Sequence, residues 1–575
     1  MADLKEKVDL KSAKKELIVA VRECRDRGLV QTAKWLTEQS AALKPLEPGE
    51  FPAFPTDTPD FLQEYDAYNV ARSYYDVREY DRAAHVLRDC GSQKAYFLCM
   101  YSRYMGGEKK RGDAMADSLG PLKAGQDQCG WLRTLREELH QKESDLDGYG
   151  LYLYGVVLRR LGLQQEAITA LLSAINKEPL HWGAWLELAM LINDKANLVA
   201  LSVPNHWMKQ FFLAHCYLEL QMNEDALTQL QGLADKGFSL STWVKAQTAN
   251  AYHNMRQVEP AVDLLKQLHA EDPYRLDNMD TLSNLLYVKE MRAELSHLAH
   301  SVCQVDKFRV ETCCVIGNYY SLRGQHEKAV LYFQRALKLN PNYLSAWTLM
   351  GHEYMEMKNT SAAIQAYRHA IEVNRRDYRA WYGLGQTYEI LKMPFYCLYY
   401  YRQAHQLRPN DSRMLMALGE CYEKLDRLLE AIKCYWRAYS VVDQEGMALV
   451  KLAKLHELIK EDQQAAAFYT AFVQQSEMMG TVDVEEQCQA YRYLANHYLK
   501  HKDLDQATFY ARRCCDFAST REEGKSLLQQ ISGLRSNQGD DSSLSQSVAE
   551  GRPAVTPVTA TPTSSVPPMN LTFTS

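Results

Sequence analysis

A chain of 575 residues is too long for one compact core, so several domains or a repeat array are expected. A formal charge of −6 and a pI near 6.3 carry no nucleic-acid footprint. No apolar run reaches the roughly 18 residues of a membrane span and the N-terminus is polar and charged, so neither a membrane nor a secreted protein is expected. The 14 cysteines show no paired CxxC spacing, and free, reduced thiols place the chain in the nucleus and cytoplasm.

In chain order, residues 1–45 read as a degenerate helical hairpin, with apolar and charged residues alternating at helical spacing and Gly28 at the turn. Residues 46–61 are a proline-rich linker, with Pro48, Pro52, Pro55 and Pro59. In residues 62–105 a two-helix pattern begins, carried by Ala67, Val70, Ala71, Tyr74, Ala83, Leu87 and Cys90, with a further helix near Ala95–Tyr104. Residues 106–145 form a Gly- and charge-rich insertion holding one helix near Trp131–Glu143. The pattern resumes across 146–309, first with Leu151, Tyr154, Gly155, Leu158, Ala167, Leu171, Ala174 and Pro179. Residues 536–575 shift to Ser, Thr, Pro and Gly with few large apolar residues, which cannot bury enough surface to offset ordering entropy. That predicts a disordered tail, with Thr556 and Thr561 before prolines as candidates for phosphorylation.

Residues 310–535 hold the clearest copies. One pattern returns there four times at a spacing of 34 residues, centred on Gly317, Gly351, Gly385 and Gly419. Each copy adds a Tyr three residues on, then Ala or Cys and an aromatic residue, as in Ala329 and Phe333, Ala363 and Tyr367, Cys397 and Tyr401, Ala431 and Tyr435. This is the tetratricopeptide (TPR) spacing of paired antiparallel helices. The small residues let two helices approach closely, and a lone hairpin cannot cover its apolar face, so hairpins must stack. The predicted fold is therefore all-α: a solenoid, or superhelix, of TPR hairpins ending in a disordered tail.

Motifs for chemistry are missing or already explained. His352-Glu353-Tyr354-Met355-Glu356 is one ligand short of a zinc-protease helix, and Gly383-Leu384-Gly385 lacks the strand and third glycine of a dinucleotide loop. No catalytic residue, metal site or cofactor is expected. What remains is recognition. In a TPR array the first helix of each hairpin lines the inner groove, and its inward positions include Asn318, His352, Tyr382, Gln386, Glu389, Glu420 and Glu423. Carboxylates beside amides and a tyrosine suit an extended peptide carrying Arg, which pairs bidentately with carboxylate. A chaperone-tail TPR would instead need a lysine where Cys314 stands, and Glu389 and Glu420 would repel its carboxylate ligand.

The segments Tyr80–His85, Leu151–Leu158, His181–Leu188, Val310–Ile390 and Arg521–Lys525 carry a further likeness. On them the chain resembles the eighth-subunit family of the anaphase-promoting complex (cyclosome), the cell-division-cycle-23 family, nearly end to end. That resemblance implies a non-catalytic scaffold of a ubiquitin ligase that drives mitotic exit by marking cyclins and securin. It also implies a homodimer made through the N-terminal repeats and a C-terminal groove for the Arg-containing C-box of propeller-type coactivators. Neighbouring TPR subunits and small chaperone-like subunits would contact other faces. Two alternatives from other classes are a TPR-bearing enzyme such as a glycosyltransferase, which would need a separate catalytic domain, and a cochaperone or transport adaptor binding peptide tails.

Overall fold

The computed structural model describes residues 9–54, 58–114, 130–441, 446–479 and 484–542. Among these residues the regular structure is helical throughout, with no strand. The chain falls into two compact units, Met1–Asn374 and Arg375–Ser575.

Unit 1 opens with α1 (Leu10–Asp26) and α2 (Val30–Ala42), an antiparallel pair turned at Gly28, whose φ is +80°. Next come α3 (Pro59–Gln63), α4 (Tyr65–Asp76), α5 (Tyr80–Val86), α6 (Gln93–Ala114) and α7 (Gly130–Gln141). Helix α6 runs through Gly106 and Gly107 to Ala114, ten residues beyond the end expected from composition. Packing overrides the low helix propensity of the glycines here: Trp131 of α7 lies where a Cβ on Gly107 would be. The hairpins that follow are α8 (Gly148–Arg160) with α9 (Gln164–Lys177), α10 (Trp182–Ala189) with α11 (Lys195–Ala200), and α12 (Met208–Glu219) with α13 (Asn223–Leu233). After them come α14 (Thr242–Asn254) with α15 (Val258–Glu271), α16 (Met279–Val288) with α17 (Arg292–Val305), α18 (Val310–Leu322) with α19 (His326–Leu339), and α20 (Leu344–Glu356) with α21 (Thr360–Val373).

Unit 2 continues the series with α22 (Tyr378–Ile390) and α23 (Pro394–Leu407), α24 (Ser412–Lys424) and α25 (Leu428–Ser440), and α26 (Met447–Leu458) and α27 (Asp462–Met479). It closes with α28 (Val484–Lys500), α29 (Leu504–Asp516) and α30 (Arg521–Ser542). Helix α30 passes the boundary at 535 drawn from composition, while residues 543–575, with Thr556 and Thr561, lie outside the described residues.

Two devices make the repeat. The first is a hole and a knob. A Cβ built on Gly317 or Gly351 would lie 2.5 Å from a ring atom of Phe333 or Tyr367 respectively, and Gly385 and Gly419 seat Tyr401 and Tyr435 in the same way. All four rings are fully buried. The second is a left-handed residue that ends each first helix, at Arg256, Glu290, Gly324, Lys358, Lys392, Asp426 and Lys460, with φ between +54° and +71°. These seven fall 34 residues apart, yet only one is glycine. The turn is imposed by helix–helix packing rather than by glycine's conformational freedom.

Candidate peptide-binding face

The buried tyrosines of the repeat bring a polar atom into the core, and each needs a partner there. Tyr367 Oη hydrogen-bonds to His352 Nδ1 at 2.8 Å, and Tyr401 Oη donates to Glu389 Oε2 at 2.9 Å. Tyr469 Oη reaches Glu457 at 3.4 Å, and Glu423 stands beside the Tyr435 hydroxyl. Burial first, then these carboxylates, push the Tyr401, Tyr435 and Tyr469 hydroxyls well above the ordinary phenol range. Glu389, Glu423 and Glu457 each lie twelve residues before the tyrosine they face, a regularity readable in the sequence. So His352 and Glu389 stand on their first helices and steady the core of their own hairpins, while the Tyr435 hydroxyl beside Glu423 makes no hydrogen bond among the described residues.

In unit 2 the first helices are further tied by charge. Lys424 Nζ of α24 lies 2.5 Å from Glu389 of α22, Lys451 of α26 lies 3.0 Å from Glu420 of α24, and Lys454 of α26 lies 2.7 Å from Glu486 of α28. The result is a ladder of ion pairs, each joining one hairpin to the next. Sequence reasoning named Glu389 and Glu420 but missed Lys424 and Lys451. The signal was an acid and a lysine on first helices one repeat apart. Tyr382, half-buried, tilts against Tyr401 with ring centroids 5.3 Å apart, and Gln386, half-buried too, lies one turn further along the same helix. Glu420 and Glu423 are half-buried as well.

Unit 1 treats the matching positions differently. Asn318 is buried, and its amide donates to Ser283 Oγ at 2.8 Å and Asn284 Oδ1 at 2.7 Å, both on α16. Ser321 Oγ donates to buried Glu353 at 2.7 Å, whose other oxygen meets His326 at 2.9 Å. That accounts for the Glu of the incomplete zinc motif. Asp280, also buried, accepts from Tyr343 Oη at 2.7 Å, and burial raises its carboxyl above the usual range. His352 is exposed.

Earlier in unit 1 the chain covers its own first helices. Helix α2 lies across α10, α12 and α14: Trp35 stacks on Trp182 at 4.4 Å and 10°, and meets Phe211 and Trp243 edge-on at 5.4 and 6.0 Å. Buried Ser241 Oγ donates to Gln39 Oε1 at 2.7 Å, and Lys34 reaches Asp277 at 2.9 Å. Among the described residues no group of three or more His, Cys, Asp or Glu is placed to hold a metal ion, and no helix is long and apolar enough to cross a membrane.

Comparison with known proteins agrees with this architecture. The family model "Anaphase promoting complex subunit 8 / Cdc23" matches residues 12–249, and tetratricopeptide models match 310–343, 351–390 and 412–441. The human cell division cycle protein 23 homolog is 60% identical over 299 residues, which cover 52% of this chain and 50% of that protein. The chain thus matches about half the length of that relative. Anaphase-promoting complex subunit 8 of Arabidopsis thaliana is 42% identical over 402 residues, covering 62% of this chain and 67% of the relative. The Dictyostelium discoideum subunit is 39% identical, covering 60% and 69%. The crystal structure of the APC/C hetero-tetramer Cut9–Hcn1 superposes with a TM-score of 0.54 at 16% identity, covering 81% of this chain and 89% of that one, a likeness of fold. With identity at this level across two thirds of its plant and amoebal relatives, the chain belongs to the anaphase-promoting complex subunit 8 / Cdc23 family.

Proposed function

We propose that this chain is a scaffold subunit of the anaphase-promoting complex ubiquitin ligase, catalyses no reaction itself, and receives the Arg-containing C-box of propeller-type coactivators on its later first helices. It pairs with a second copy through the N-terminal repeats, and its other faces meet neighbouring TPR subunits and small chaperone-like subunits in the nucleus and cytoplasm. The observation that carries the reading is the charge ladder of unit 2. Glu389 and Glu420 are carboxylates already paired with cations on the next hairpin, and those lysines are part-exposed and exchangeable. An incoming guanidinium makes the bidentate contact that an ammonium cannot, so it displaces the lysine with a gain in geometry. Tyr382 and Gln386 lie on the same helix as Glu389 and add a ring face and an amide. Asn318 and His352 are engaged within their own unit, Asn318 by Ser283 and Asn284 and His352 by Tyr367.

A tail-binding cochaperone is disfavoured by the same geometry, since Cys314, at the clamp-lysine position, is fully buried. The test is twofold. Affinity purification of the full chain at endogenous level should recover the ligase subunits; recovery alone or with chaperones only overturns the scaffold reading. Calorimetry of an Arg-containing C-box peptide should lose roughly tenfold or more in affinity for Glu389→Gln with Glu420→Gln. Unchanged affinity places the peptide elsewhere.

A further inference from the structure

The hairpin of α22 and α23 departs from its siblings on the outside. Ile390, Leu391, Met393, Phe395, Tyr396 and Tyr399 are 60%, 41%, 40%, 76%, 52% and 54% exposed, a run of large apolar side chains from the last residue of α22 across the turn to the start of α23. Thirty-four residues earlier the positions of Phe395, Tyr396 and Tyr399 hold Ser361, Ala362 and Gln365, and thirty-four later Leu429, Glu430 and Lys433. The repeat therefore does not need aromatic residues there, and its core neighbours Cys397 and Tyr401 are buried regardless. The rings are organised: Tyr388 stacks on Tyr396 at 5.2 Å and 18° and on Tyr400 at 5.2 Å and 2°, and Tyr399 meets Tyr400 edge-on at 5.1 Å. A contiguous apolar patch of this kind marks an interaction surface.

Its charge says what it meets. From Ile390 to Asn410 there is no acidic residue, only Lys392, Arg402 and Arg408, whereas the preceding copy has Glu356 and Glu372 and the following one Asp426, Glu430 and Asp443. Lys392 is exposed and pairs with no acid among the described residues, and Arg402 caps the Tyr422 hydroxyl at 2.7 Å. The start of α23, with Pro394 in its first turn, adds the positive end of a helix dipole beside Phe395. We propose that this outer face of α23 docks an acidic segment of another protein that carries leucine or aromatic side chains, the apolar residues entering among the rings and the carboxylates facing Lys392 and Arg402. The chain's own residues 543–575 do not meet that description, having one acid and one base, Glu550 and Arg552. The proposal is independent of the coactivator face, which uses the first helices.

The experiment uses the full chain and two short fluorescent peptides, one alternating acidic residues with Leu and Phe, the other with Lys in place of every acid. Anisotropy should show binding of the acidic probe only. Phe395→Ser, Tyr396→Ala and Tyr399→Gln together, residues the preceding copy already carries, should weaken it by about tenfold or more with an unchanged melting temperature. Lys392→Glu alone, which tests the charge without touching a ring, should weaken it by a smaller factor and flatten its salt dependence. Equal binding by wild type and triple variant, or equal binding of both probes, overturns the proposal. So does a triple variant whose dimer dissociates by light scattering, which makes the face a self-contact. A gain in binding on deleting residues 543–575 does the same, because the tail would then be the occupant.

Discussion

The first helices of the early hairpins and those of unit 2 share a backbone plan but handle their exposed sides in opposite ways. In α10, α12 and α14 that side is aromatic, with Trp182, Phe211 and Trp243, and the chain lays α2 over it. In α22, α24 and α26 it is charged, with acids of one hairpin set against lysines of the next. One face is completed by the chain itself through apolar burial, which is strong and insensitive to salt. The other is completed by exchangeable ion pairs, which are weak and open to a competing cation. A repeat scaffold can thus close one stretch and leave another receptive without altering its hairpin geometry.

The largest effect should come from breaking the closed face. Trp35 is buried against three aromatic rings, so Trp35→Ala should cost about 3–5 kcal/mol. Urea unfolding followed by tryptophan fluorescence checks it, and a loss under about 1 kcal/mol would mean that α2 is only loosely seated.

The closed face should also be acid-labile. His181, which opens α10, is buried; its Nδ1 accepts from the Ala184 amide at 3.0 Å and its Nε2 has no hydrogen-bond partner among the described residues. Burial lowers its pKa from 6.5 to about 4. Because the folded value lies below the unfolded one, protonation favours the unfolded chain. The stabilising contribution is therefore complete above about pH 6.5 and is lost as pH falls toward 4, by roughly 3 kcal/mol in all. His181→Asn keeps a capping acceptor without the titration, and should flatten the melting temperature across that window.

Much of this fold is legible in the sequence because its signals are local and repeated. Gly351 announces Tyr367 sixteen residues later, and the same offset joins Ala71 to Leu87, Ala214 to Leu230 and Ala249 to Leu265. In these three pairs alanine faces the smaller leucine, although Gly155 also seats Leu171 and Ala453 stands sixteen residues before Tyr469. The close seat of Tyr367 on Gly351 gives a double-mutant test: Gly351→Ala should cost about 1–3 kcal/mol by overpacking against Tyr367, and Gly351→Ala with Tyr367→Leu should recover part of it. Additive losses would show that the ring is free to move aside. The seat of α2 was not legible, since Trp35 meets partners at 182, 211 and 243 and no short-range pattern links them. The same distance hid the ladder. Glu389 and Glu420 stood out as carboxylates on a first helix, but their lysines lie 35 and 31 residues on. The place of Glu389 and Glu423 beside Tyr401 and Tyr435 is written in a twelve-residue offset, but it has meaning only once those phenols are buried and their hydroxyls need an acceptor.

The smallest effect separates the two faces most sharply. Glu420 and Lys451 are 38% and 27% exposed, so solvent screens their attraction, and Glu420→Gln should cost no more than about 1 kcal/mol. Raising the salt concentration should reproduce most of that loss in the wild type and add little in the variant, because the same Coulomb attraction is removed by either route. Trp35 meets rings and no charge, and its removal leaves the Lys34–Asp277 pair of α2 in place, so melting of Trp35→Ala should shift with salt in parallel with wild type. If Glu420→Gln instead destabilised as much as Trp35→Ala, the ladder would be a structural support in its own right. A peptide could not then displace Lys451 without loosening unit 2, and the receptive face would have to be sought away from these carboxylates.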